Sequence, residues 1–122
     1  MRFLVVDDSS TMRRIVSNAL RDLGYTDLVD AADGVEALDQ LEAARPDFVV
    51  TDWNMPNKNG LELTQAIRAH PEFGDLPILM ITTRGVKEDV VAAMKARVNN
   101  YVVKPFTAQV LGEKIDAILK TA

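Results

Sequence analysis

A chain of 122 residues with 48% hydrophobic and 26% charged side chains is too apolar for a disordered tail and has too little glycine for a collagen repeat. Area scaling buries about two-thirds of the surface that such a chain exposes unfolded, enough for one core and too little for two domains, so residues 1–122 are expected to form a single unit. Fourteen Lys and Arg against eighteen Asp and Glu give a net charge of −4, a poor footprint for a phosphate backbone, so direct nucleic-acid binding is not expected; the absence of Cys excludes a disulfide framework and makes the cytoplasm the default compartment.

Phe3 to Val6 is a continuous apolar run that suits a strand buried on both faces, and it meets Asp7-Asp8 too soon for a signal peptide or a membrane span. Ser9, Ser10 and Thr11 offer N-caps for a helix whose apolar residues, Met12, Ile15, Val16, Ala19, Leu20 and Leu23, recur in steps of three and four, with Gly24 at its end. A second strand is predicted around Leu28 to Ala31. Asp33-Gly34 then opens a helix through Val35, Leu38 and Leu41 that stops before Arg45-Pro46.

A third strand, Phe48 to Thr51, runs into Asp52, and the Asn-, Pro- and Gly-rich segment from Trp53 to Gly60 reads as a loop. Leu61, Leu63, Ala66 and Ile67 mark a third helix ending near His70-Pro71, where His70 reads as structural. Ile78 to Ile81 makes the fourth strand, and Val86, Val90 and Met94 mark the fourth helix. Tyr101 to Val103 is a fifth strand, and Thr107 caps a last helix bearing Val110, Leu111, Ile115, Ile118 and Leu119.

Strands alternating with helices predict an α/β fold, a flavodoxin-like (βα)5 doubly wound parallel sheet. In such sheets a site forms beyond the carboxyl ends of the strands, where the strand order reverses. Asp7 and Asp8 end the first strand, Asp52 the third, Thr82 the fourth and Lys104 the fifth. The second strand ends in Ala31-Ala32 without a comparable group, which fits an edge position and the order 2-1-3-4-5.

Three carboxylates in one crevice repel, each pair at 4 Å costing about 4 kcal/mol at an effective dielectric near 20. Lys104 offsets part of this, and a hard divalent ion with oxygen ligands, Mg²⁺, is the better match. Without the ion, at least one acid is expected to have a raised pKa. A carboxylate so placed can act as a nucleophile toward phosphorus, with Lys104 neutralising the transferred group and the Thr82 hydroxyl donating to it. Taken singly, these residues have blander roles, as helix-terminus charges, a strand end and a solvated lysine; their coincidence at four strand ends favours the site.

The motifs Val5-Val6-Asp7-Asp8-Ser9, Val50-Thr51-Asp52-Trp53-Asn54-Met55-Pro56 with Gly60, Ile81-Thr82-Thr83 and Tyr101-Val102-Val103-Lys104-Pro105-Phe106 resemble, in order and along essentially the whole chain, a response-regulator receiver domain. Within that family, Ser10-Thr11-Met12-Arg13-Arg14 and the Trp53 to Pro56 loop are most similar to chemotaxis members. The resemblance implies that Asp52 accepts a phosphoryl group from a sensor histidine kinase. It also implies that Asp8, Asp52 and the Asn54 carbonyl bind Mg²⁺ directly, with Asp7 helping through water. Lys104 would pair with the phosphoryl group, Thr82 and Tyr101 would form a switch pair, and Lys104-Pro105 would be cis.

The expected protein is a stand-alone response regulator with no output domain, which switches a protein-binding face on helix four and strand five in chemotaxis or a related motility pathway. Its expected partners are the kinase, a downstream target such as the flagellar motor switch, and a phosphatase; an intermediate or sink in another phosphorelay is the alternative. Beyond accepting and losing phosphoryl groups it is not expected to be an enzyme.

Some residues depart from the family pattern. Lys58 adds positive charge beside the site where relatives carry an apolar residue. Arg84-Gly85 follows the switch Thr, and Arg84 with Asn54 is expected to flank the attacking water and set the phosphoryl lifetime. Arg97-Val98-Asn99-Asn100 lies where the turn into the fifth strand commonly contains Gly, and Asn is the non-Gly residue that best tolerates positive φ there. Trp53 reads as a packing or surface residue.

Three rivals fit less well. A haloacid-dehalogenase-type phosphatase needs a second acid where Ser9 stands, Asp7-Asp8 would repel the phosphate of a flavin mononucleotide carrier, and a receiver used only for protein contacts has no need of the acids.

Overall fold

The computed structural model describes residues 1–83 and 87–121. Strands and helices alternate in the order β1 (Arg2–Val6), α1 (Ser10–Asp22), β2 (Asp27–Ala31), α2 (Gly34–Ala44), β3 (Phe48–Asp52), α3 (Gly60–Ala69), β4 (Ile78–Thr82), α4 (Lys87–Lys95), β5 (Asn100–Val103) and α5 (Ala108–Thr121). All strand pairs are parallel, and the sheet order is β2-β1-β3-β4-β5, the expected flavodoxin-like arrangement. β2 is an edge, and its residues are mostly half-buried or exposed, whereas β3 and β4 are buried throughout.

Alternation along the strands divides the core into two layers. Leu4, Val6, Val49, Ile78 and Met80 face α2, α3 and α4, whereas Phe3, Val5, Phe48, Val50, Leu79, Ile81 and Val102 face α1 and α5. Phe3 fixes the second layer by stacking on Phe48 with ring centroids 4.9 Å apart.

The helix ends follow their local chemistry. Ser9 Oγ accepts from Met12 N–H at 3.2 Å, and Asn59 and Glu62 form a reciprocal capping box at the start of α3. α1 closes with Gly24 at φ 96; Tyr25 N–H reaches the Leu20 carbonyl at 2.9 Å and Gly24 N–H that of Arg21 at 2.9 Å, a Schellman motif. The Lys104–Pro105 peptide is cis.

Two expectations need correction. Ile15, Val35, Met94 and Val110, read as core-facing, are exposed; the sheet side of α4 is formed by Ala92 and Ala93, smaller residues that an apolar periodicity underweights. The left-handed residue in the turn into β5 is Arg97, at φ 71, and not Asn99 or Asn100. Asn99 extends the sheet instead, its N–H donating to the Ile78 carbonyl at 2.9 Å and its Oδ1 accepting from Ile78 N–H at 2.8 Å. Arg84 and Val86, to which a role in phosphoryl lifetime and a place in the fourth helix were assigned, lie outside the described residues.

Candidate functional site

The carboxyl ends of the strands bring the sequence-predicted acids together. β1 pairs with both β2 and β3, so the strand order reverses beside it, and there Asp7 follows β1 while Asp52 ends β3. One carboxylate oxygen each from Asp7, Asp8 and Asp52 lies within 4.8 Å of the others. Asp7 and Asp52 are buried, and Asp8 is exposed at the mouth.

Lys104, delivered by the end of β5, places its Nζ 3.3 Å from Asp52 Oδ1 and 3.5 Å from Asp7 Oδ2. Its ammonium therefore bridges the two buried acids from one side of the crevice. Trp53 N–H donates to Asp52 Oδ1 at 2.8 Å, which fixes the orientation of that carboxylate. Asp7 Oδ1 accepts from Ser9 N–H at 2.9 Å.

Burial pushes the Asp7 carboxyl above its ordinary range and the Asp52 charge adds to the rise, while the Ser9 N–H and Lys104 pull the other way without cancelling it. One acid with a raised pKa was expected of this crowding, and Asp7 is that acid. The donor set is carboxylate oxygen, the chemistry that Mg²⁺ prefers.

Thr82 ends β4 and is buried. Its register partner is Val103, and Tyr101 pairs with Met80. Paired residues of parallel strands share a face, so Thr82 and Tyr101 stand on the same side of the sheet, one diagonal step apart. Tyr101 is half-buried against the layer that faces α2, α3 and α4, with Lys114 Nζ 5.7 Å from its ring centroid. Asn54 is exposed in the β3–α3 loop, and Trp53 is a packing residue of the core. His70 is structural as expected, its Nε2 lying 2.8 Å from Glu42 on α2.

Sequence reasoning named Arg13 and Gly60 as motif residues only and gave neither a part in supporting the site. Arg13 Nη1 donates to the Asp7 carbonyl at 2.6 Å and its Nε to Asp30 at 3.2 Å, tying α1 to the ends of β1 and β2. Gly60 lies against the Asp52 carbonyl so closely that a Cβ would overlap it. A glycine at the first position of α3, where propensity disfavours it, was the available signal.

Residues 3–116 match the family model described as a response regulator receiver domain. The chain is 56% identical over 122 residues to the chemotaxis protein CheY1 of Helicobacter pylori strain J99, covering 99% of this chain and 98% of that protein. It is 52% identical over 120 residues to the chemotaxis protein CheY of Pseudomonas aeruginosa, covering 98% of this chain and 97% of that protein. Among solved structures, the chemotaxis response regulator CheY4 of Vibrio cholerae superimposes with a TM-score of 0.88 at 36% identity, over 96% of this chain and 97% of that one.

Proposed function

Because the chain belongs to the response regulator receiver family, and is of the CheY type within it, we propose that Asp52 is its phosphoacceptor and that the surrounding acids hold Mg²⁺. The observation that carries this reading is the cluster of Asp7, Asp8 and Asp52 oxygens within 4.8 Å, with Lys104 Nζ 3.3 Å from Asp52.

An Asp52 oxygen attacks the phosphorus of a phosphohistidine on the kinase; the P–N bond breaks as the O–P bond forms, and the imidazole leaves with the electron pair and takes up a proton. Lys104 offsets the negative charge on the transferred group, and the Trp53 N–H holds the carboxylate in one orientation beforehand. Asp7, Asp8 and Asp52, with the Asn54 carbonyl, would hold the metal, which would supply positive charge to offset the negative charge of the transferred group. Water later attacks phosphorus, releasing inorganic phosphate and restoring the carboxylate.

The donor docks beside this crevice on a rim formed by Met12, Ile15, Pro105 and Phe106, which line a cavity of about 300 Å³ with Lys104 at its wall. Output is a two-state shift in which the Thr82 hydroxyl turns toward the phosphoryl oxygens and Tyr101 fills the space behind it. Exposed Val91 and Met94 on α4, Val103 on β5 and Val110 on α5 give that face an apolar surface for a target. The target is a chemotaxis effector such as the flagellar motor switch, a phosphatase resets the signal, and the setting is the cytoplasm. No helix among the described residues is long and apolar enough to cross a membrane.

The test is incubation with Mg²⁺ and acetyl phosphate followed by intact-mass measurement. The wild type should gain one phosphoryl group and Asp52→Asn none; a persistent gain in the variant moves the acceptor elsewhere.

A further inference from the structure

The loop from β3 to α3 is fastened to the start of α2 at two adjacent points. Asn57 Nδ2 donates to Asp33 Oδ2 at 2.6 Å, and Gly34 N–H donates to the Lys58 carbonyl at 3.0 Å. Gly34 makes the second contact possible, since a Cβ there would stand 2.6 Å from the Lys58 carbonyl oxygen and 2.8 Å from Lys58 Cβ. Asn57 turns the loop toward α2 in a left-handed conformation at φ 65, which asparagine tolerates better than most residues.

Neither flanking element needs this staple for its own completion. α2 is already capped by the other oxygen of Asp33, whose Oδ1 accepts from Glu36 N–H at 2.8 Å. The loop is already closed at its base by Gly60 N–H on the Trp53 carbonyl at 2.8 Å, and Met55 seats its middle against the core. The staple acts on the loop closed between Trp53 and Gly60, whose first residue is Asn54.

We propose that Asp33 and Asn57 are positioning residues for the metal centre: their hydrogen bond orients the β3–α3 loop so that the Asn54 carbonyl is presented to a divalent cation held by Asp7, Asp8 and Asp52. This inference rests on reading that cluster as a Mg²⁺ site. Hydrogen bonds from the Glu36 N–H, first, and from Asn57 hold the Asp33 carboxyl below the ordinary range, so it is an ionised acceptor at neutral pH.

The experiment titrates Mg²⁺ alone, without phosphodonor, against the full chain. Binding is followed by the fluorescence of Trp53, the one tryptophan, and independently by calorimetry. Asp33→Ser keeps a cap-competent hydroxyl but cannot reach Asn57, and Asn57→Gly keeps the left-handed turn but deletes the amide. Each should raise the Kd for Mg²⁺ roughly three- to tenfold, the effect of one lost hydrogen bond, with the metal-free urea midpoint of Asp33→Ser little changed.

The exchange Asp33→Asn with Asn57→Asp keeps the net charge and re-forms the bond with donor and acceptor reversed. It should return the Kd toward the wild-type value. An unchanged Kd in both single variants, or no recovery in the exchange, overturns the inference alone. A wild type without affinity for millimolar Mg²⁺ overturns the reading of the cluster, and the inference with it.

Discussion

Gly60 and Asp52 are in backbone contact: a Cβ on Gly60 would overlap the Asp52 carbonyl oxygen and stand 3.0 Å from both Met80 Sδ and Trp53 Cα. Asp52 and Trp53 cannot retreat without disturbing β3, since Asp52 is paired with Ile81 in the sheet and the Trp53 carbonyl accepts the Gly60 N–H. The first turn of α3 is therefore packed directly on the backbone of the proposed phosphoacceptor, so stability and chemistry share one contact.

Gly60→Ala is accordingly expected to cost roughly 1–3 kcal/mol of stability, the usual penalty of overpacking, and to slow phosphorylation by acetyl phosphate. Gly74→Ala is the control, because its Cβ would meet its nearest neighbours at 3.3 and 3.4 Å and can be relieved by small shifts. Urea midpoints of the two variants check this; equal midpoints would show that the α3 contact yields easily.

Arg97 is held at φ 71 by its surroundings and not by its own preference. Its carbonyl accepts from Arg68 Nε at 3.0 Å and Nη2 at 2.7 Å, and those bonds involve only its backbone. Arg97→Gly should keep both bonds, remove the left-handed strain and relieve the Arg68–Arg97 repulsion, raising stability by up to about 1 kcal/mol. Arg97→Val should lower it. A lower urea midpoint for the glycine variant would contradict the assignment of strain to this position.

Arg68 spends every guanidinium donor on neighbouring oxygens. Besides the Arg97 carbonyl it reaches the Gly74 carbonyl at 3.1 Å, the Leu76 carbonyl at 2.7 Å and Asn99 Oδ1 at 3.0 Å, so α3 is tied to the segments entering β4 and β5. A lysine cannot reproduce this fork, so Arg68→Lys is expected to lose nearly as much as Arg68→Ala, roughly 1–3 kcal/mol. Denaturant unfolding of both variants measures the difference. A lysine variant as stable as wild type would mean that the charge, and not the fork, matters.

The strand-end residues were legible because a buried parallel strand is a short apolar run, and the residue that breaks it lies at the carboxyl edge where sites form. Asp7, Asp52, Thr82 and Lys104 could therefore be placed before any contact was known. The Asp33–Asn57 and Arg68–Asn99 bonds could not, because their partners are 24 and 31 residues apart in the chain and only the sheet order brings them together. Helical periodicity located α4 but chose its buried side wrongly, since Met94 carries the hydrophobic signal while Ala93 carries the packing.

Asp7 makes the pH dependence of the metal-free protein testable. Its folded pKa lies above the ordinary aspartate value because burial outweighs the stabilising contacts from Ser9 and Lys104. A group raised in the folded state favours folding fully when protonated, below about 3.8, and that contribution is lost as pH rises through the folded pKa. At neutral pH the ionised Asp7 is thus a cost to the apo fold, and Asp7→Asn, which cannot ionise, should melt at a higher temperature than wild type. The gap should narrow as pH falls through the folded pKa of Asp7, below which both side chains are neutral. Millimolar Mg²⁺ should also narrow it at pH 7, because the cation offsets the wild-type charge and has less to offset in the variant. Thermal melts across that pH range, with and without the ion, decide the matter: an Asp7→Asn protein less stable than wild type at pH 7 without metal would mean that Lys104 needs the Asp7 charge more than burial penalises it.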